Sequence, residues 1–201
     1  MGQPLPPCDR NISASLDCAE AFQRAAKPFL ARIAEDVKGG GTQPPTPIGD
    51  LVVAASNLAF AVELYIKTLL AQLPHDVPRG HDLGKLYAAI PQPVRDEIEK
   101  SCYAIWKRDW YGRHAAITIA KGPADTPKWD DYRIKSKDLG QLLATMGDVF
   151  SSWRYVYEFT EPDRGKYQLH RFEYGLLFSV CEAIRASIDD RLQNSPADSV
   201  S

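Results

Sequence analysis

The stretch "IGDLVVAASNLAFAVELYIKTLLAQL", residues 48–73, decides the fold. Leu51, Ala55, Leu58, Val62, Ile66, Leu69 and Leu73 recur three or four apart, so one stripe of a helix faces a core. Ala54, Ala59 and Ala61 leave room for a second helix to come close. Glu63 and Lys67 stand four apart with the acid first, the favourable order for a helical ion pair. Working outward, every other long segment carries a similar stripe, and no convincing strand is read.

On the N-terminal side, residues 14–38 are predicted helical, with Ser13 or Ser15 as cap. Leu16, Ala19, Phe22 or Gln23, Ala26, Phe29 or Leu30, and Ile33 mark the apolar face. Pro28 falls inside and is expected to kink the helix. "KGGGTQPPTP" then breaks the chain into a loop. On the C-terminal side "PHDVPRGHDL" reads as a turn, with Asp82 placed to cap a short helix ending near Ile90. Pro91 and Pro93 open a further helix from Val94 to Tyr111, striped by Ile98, Cys102 and Ile105 or Trp106. Residues 113–136 read as one long internal loop. Ser136 is expected to cap a helix to Tyr157 bearing Leu139, Leu142 or Leu143, Met146, Phe150 and Trp153. The last helix is expected over Tyr167–Leu192, with Leu169, Phe172, Leu176, Val180, Ile184 and Ile188 inward. The fold class is therefore all-α, an antiparallel bundle of five to six helices. It forms a single domain over residues 13–193 between a loose Pro-rich start (1–12) and a frayed tail (194–201).

Composition narrows the function. With 201 residues, 44% hydrophobic and 25% charged, the chain can build one ordinary core. A net charge of −2 argues against non-specific DNA binding, which draws on a basic excess. A few arginines in one cleft would still suffice for a phosphate. No window approaches the ~20 apolar residues of a membrane span, and no secretory signal is visible, so a cytoplasmic protein without membrane contact is expected. Cys8, Cys18, Cys102 and Cys181 are scattered, with no C-x-x-C, and read as buried or inert thiols. His75-Asp76 and His81-Asp82 lack further ligands for a metal site. For His81-Asp82 the simpler reading is a helix cap beside a locally bonded histidine. The glycines at 39–41 lack the strand and the Lys-Ser/Thr of a phosphate loop. No cofactor and no metal are expected.

"NLAFAVELYIKTLLAQL" at 57–73, followed by "GHDLGKLYAAIP" at 80–91, resembles the higher eukaryotes and prokaryotes nucleotide-binding (HEPN) family. "FSSWRYVYE" at 150–158 is similar to a signature in bacterial relatives. The resemblance spans roughly residues 50–190. It implies a helical bundle that often dimerises. Active members are metal-independent ribonucleases of toxin–antitoxin and phage-defence systems, marked by an Arg followed four to six residues later by a His. Members without the pair bind or assemble.

The pair suits the chemistry. A histidine moves a proton at the ribose 2′-hydroxyl or the leaving oxygen, and an arginine grips the phosphate. Two places match: Arg108 with His114, and Arg164 with His170. A pattern this loose also arises by chance. Arg108 follows the G-H-D-L segment as the family's arginine does, and Trp110 and Tyr111 beside it are suited to stacking on bases. His114 read structurally is a solvated residue just past a helix end. In a second register Arg154 is the family's arginine and no histidine follows it. Arg154 then pairs with Glu158 among aromatics, or lines a binding groove together with Tyr155. The expectation is a HEPN-like binding or assembly module for RNA, a nucleotide or a cognate protein, acting as a homodimer. The alternative is a ribonuclease using Arg108 and His114.

Overall fold

The computed structural model describes residues 11–38, 48–74, 76–108, 116–121, 139–146 and 168–194. These form α1 (Ile12–Lys38), α2 (Ile48–Ala71), α3 (Leu83–Ala88), α4 (Gln92–Arg108), β1 (Ala116–Lys121), α5 (Leu139–Thr145), β2 (Gln168–Glu173) and α6 (Tyr174–Asn194). The chain is of the all-α class, with six helices among the described residues and one short two-stranded ribbon.

The centre is α2. Ala54, Ala55, Leu58, Ala59, Ala61, Val62, Tyr65, Ile66, Leu69 and Leu70 are all buried. A single apolar stripe accounts for only part of that set. The helix is covered by α1, α3 and α6, with α4 packed in turn on α6 and α5 on α3. Small residues at Ala19 and Ala26 of α1 are fully buried on the facing helix, where they permit close approach. Phe22 and Phe60 stack with ring centroids 5.1 Å apart. By length and composition Val52–Ala71 is apolar enough to span a membrane, contrary to the expectation from the sequence, and most of it is buried inside the protein.

Two polar side chains in this core, Tyr65 and Gln23, are matched to each other and to Glu182. Tyr65 Oη donates to Gln23 Oε1 at 2.7 Å, and Gln23 Nε2 donates to Glu182 Oε1 at 2.5 Å, so one relay joins α1, α2 and α6. Burial pushes the Tyr65 hydroxyl well above its ordinary range, which keeps it a neutral donor. Cys102 and Cys181 are buried, and burial pushes the Cys102 thiol up to about 12. Cys18 is exposed, so of the two expectations, buried or inert, burial does not hold for it, and Cys8 lies outside the described residues.

Several boundaries differ from the reading of the sequence. Asn11, rather than Ser13 or Ser15, caps α1, its Oδ1 accepting from Ala14 N at 2.9 Å. Pro28 lies inside α1, which continues to Lys38. The segment 113–136, read as loop, contains β1, and the start of the expected last helix is strand β2. The two pair antiparallel, with Ala116 opposite Glu173 and Lys121 opposite Gln168. The β-branched run Ile117-Thr118-Ile119 favours a pleated partner. Leu169 and Phe172 fit a helical spacing by sequence, but pairing with β1 overrides that preference. His170, of the second Arg–His match, lies in β2 opposite Ile119. The helix expected to run to Tyr157 is described over Leu139–Thr145; its continuation and its Ser136 cap lie outside the described residues.

Two positions test this account. A Cβ at Gly84 of α3 would lie 2.7 Å from both Cα and Cβ of Ala144 in α5. Gly84→Ala is therefore expected to lower stability by about 1–3 kcal/mol in urea unfolding, because backbone must shift to relieve the overlap. Asp82 caps α3 by accepting from Lys85 N at 3.0 Å, and that bond holds its carboxyl below the usual range. A carboxyl depressed in the folded state contributes stability above its unfolded pKa and loses it as pH falls through the folded value. Asp82→Ala should cost about 1 kcal/mol at pH 7, and its deficit should shrink in acid unfolding as the wild-type carboxyl protonates.

Candidate functional site

The residues singled out from the sequence are mostly outside the described set. Arg108 closes α4, and Trp110, Tyr111, His114, Arg154 and Tyr155 lie outside the described residues, as does Arg164. The pairing of Arg108 with His114 is thus neither formed nor broken by the described geometry. Two of the three stretches that carry the family resemblance, 57–73 and 80–91, are by contrast described, and they meet, while 150–158 lies outside the described residues.

Their meeting point is Glu63. Its carboxyl sits on α2 with side-chain exposure of only 7%. Lys67, one turn later, donates to Oε1 at 2.7 Å. From the G-H-D-L turn, His81 Nδ1 lies 3.0 Å from both carboxyl oxygens. An ionised carboxylate can only accept, so Nδ1 carries the hydrogen in this contact. The turn reaches back because Gly80 adopts φ +104, a left-handed conformation that side chains rarely tolerate. Asp82 then starts α3, so His81 is fixed between a helix cap and a buried carboxylate. Its own side chain is 60% exposed.

Beside this cluster opens a cleft of about 420 Å³ between the start of α1, the last turns of α2 and the segment 77–81. Lys67, Arg79 and His81 bring basic groups to it, Asn11, Ser15 and Thr68 bring neutral polar groups, and Ile12, Ala71, Val77 and Pro78 supply apolar wall. The hydroxyls can be assigned. Thr68 Oγ1 donates to the Leu64 carbonyl at 2.7 Å, which uses its one hydrogen. Ser15 Oγ, 2.7 Å from Thr68 Oγ1, must then be the donor between them. Both hydroxyl hydrogens are therefore held inside the protein.

In chemical terms the cleft places basic side chains beside a buried carboxylate. Lys67 and Arg79 are fixed cations, Glu63 is one anion, and His81 adds a further positive charge when protonated. Among the described residues no group of three or more His, Cys, Asp or Glu side chains is arranged to hold a metal ion. Thr68 and Arg79 were not singled out in the sequence, and Ser15 was named there only as a candidate helix cap. The missing signal is tertiary: Ser15 and Thr68 stand 53 residues apart and meet only because α1 lies along α2. No family model, curated protein or solved structure matches this chain.

Removing Lys67 would leave the buried Glu63 carboxylate with His81 as its remaining described partner. Lys67→Met is expected to cost about 2 kcal/mol in urea unfolding, the scale of a lost charge-assisted bond. Glu63→Gln combined with Lys67→Met should recover part of that loss, since no buried charge is then stranded. A double variant as unstable as the single one would show that the pair is energetically idle.

Proposed function

We propose that the protein is a HEPN-like helical binding module, acting as a homodimer in a toxin–antitoxin or phage-defence setting, whose ligand is RNA or a nucleotide. The observation that carries this reading is the convergence of Lys67, Arg79 and His81 on one cleft next to the buried Glu63. Cations held in a cleft with partly apolar walls suit phosphate oxygens and a neighbouring ring or sugar. The overall charge of −2 concentrates this attraction at the cleft rather than over a broad basic face. The all-helical fold agrees with the resemblance in the two motifs that build the cleft.

The test is binding of a mixed single-stranded RNA pool to the full chain, with EDTA present, while RNA length is followed on a gel. Wild type should bind and leave the RNA intact. The affinity should fall as salt rises, because phosphate contacts release counterions. Lys67→Gln with Arg79→Gln should weaken binding roughly tenfold, about the loss of one charge-assisted contact. Cleavage that disappears in His114→Ala would replace the binding module with the ribonuclease reading. Folded wild type that neither binds nor cuts would remove both.

A further inference from the structure

The wall of the cleft formed by α1 and α2 carries two hydroxyls whose hydrogens are both spent. Thr68 Oγ1 donates to the Leu64 carbonyl at 2.7 Å. Ser15 Oγ, 2.7 Å from Thr68 Oγ1, donates to it in turn. A hydroxyl has one hydrogen and two lone pairs, so the bonds run one way, from Ser15 to Thr68 to the backbone. Thr68 is buried and closes the pair from behind. Ser15 is part-buried and is the oxygen that a molecule in the cleft meets. A serine hydroxyl ordinarily rotates its hydrogen to suit what approaches it. Here it faces the cleft as an acceptor, and a group placed against it must bring its own hydrogen. A group without one leaves the Ser15 oxygen desolvated and unpaired, which costs more than the bond itself contributes.

The next residue along α2 indicates which hydrogen this is. Lys67 lines the same cleft and gives one of its three hydrogens to Glu63. The other two suit a phosphate oxygen. In a ribonucleotide chain the 2′-hydroxyl is the donor nearest to the 3′-phosphate, with only C2′, C3′ and the 3′-oxygen between them. The base amino groups stand farther away, beyond C1′ and the ring of the base. A phosphate held by Lys67 therefore brings the 2′-hydroxyl, ahead of any base donor, to the hydroxyl pair beside it. That hydroxyl is the group by which a protein tells RNA from DNA at a given site.

We infer that the Ser15–Thr68 pair reads the ribose 2′-hydroxyl, so that the cleft selects RNA over DNA through an acceptor that a deoxyribose cannot satisfy. The 2′-hydroxyl donates to Ser15 Oγ while Lys67 holds the 3′-phosphate. The inference rests on the proposed RNA ligand and names the group on it that is recognised.

The experiment measures the affinity of the full chain, by fluorescence anisotropy at fixed salt, for one hexanucleotide sequence made as RNA, DNA, 2′-fluoro RNA and 2′-O-methyl RNA. The fluoro form keeps the sugar conformation of RNA, and both modified forms lack the 2′ hydrogen-bond donor. RNA should bind roughly tenfold tighter than the other three, the scale of leaving one polar group unpaired. Ser15→Ala should bring RNA and DNA to one affinity. Thr68→Val, which nearly keeps the side-chain shape, frees the Ser15 hydrogen for donation and should narrow the gap between RNA and 2′-O-methyl RNA; it serves as the test if Ser15→Ala misfolds. Equal binding of RNA and DNA would overturn the inference and leave nucleic-acid binding standing. A 2′-fluoro RNA that binds as tightly as RNA would overturn it too, because sugar shape and not the hydroxyl hydrogen would then be read. A preference for RNA unchanged in both variants would overturn the assignment to this pair. Failure of all four oligonucleotides to bind would overturn this inference and the proposed function together.

Discussion

The structure depends on the need to cover α2. A helix with Leu58, Ile66, Leu69 and Leu70 fully buried, and alanines filling the turns between, presents apolar surface on more than one side. Each large side chain taken from water stabilises the fold by roughly 1.5–3 kcal/mol, so α2 is unstable in isolation and strongly stabilising once wrapped. The coverage by α1, α3 and α6 follows from that constraint. The polar atoms that α2 carries inward are each satisfied at once: Thr68 by the carbonyl of Leu64, Tyr65 by Gln23, Glu63 by Lys67 and His81. A buried carboxylate without such partners would cost several kcal/mol, so the covering segments are chosen for their polar groups as well as their apolar ones.

The cleft arises where that covering runs out. α1 begins at Ile12 behind its Asn11 cap, α2 ends at Ala71, and the chain returns through the positive-φ Gly80 to deliver His81. Three segments therefore end or turn at one place, and their side chains need not interdigitate there as they do mid-helix. Packing defines the cavity by default, and charge gives it a preference. The residues that line it serve two ends: Lys67 neutralises Glu63 for stability and also faces the cleft.

What the sequence made legible follows from the range of each interaction. The stripe on residues 48–73, the Glu63–Lys67 pair and the Asp82 cap depend on neighbours within a turn, and all three stand in the structure. His81 was expected to pack or bond locally, and its bond instead reaches Glu63, 18 residues away on α2. The ribbon was not legible. Leu169 and Phe172 satisfy a helical period, and only the distant β1 decides otherwise. The place of Ser15 and Arg79 in the cleft was equally hidden, since a serine read as a helix cap and a lone arginine in a turn carry no pattern that points to one. Arg108, Trp110, Tyr111, His114, Arg154 and Tyr155 were chosen by motif, and only the backbone place of Arg108 at the end of α4 is described.

The ribbon has a topological consequence. Pairing of Lys121 with Gln168 pins together the two ends of everything from residue 122 to residue 167. β2 passes directly into α6, so that pin is anchored in the core. The chain thus leaves and returns at one fixed base, and α5 between the two strands is docked on α3. Closure entropy grows only logarithmically, so doubling such a loop costs about 0.6 kcal/mol. Changes in chain length on either side of α5 should therefore cost the framework little, provided that Leu139, Leu142 and Leu143 keep their places in the core.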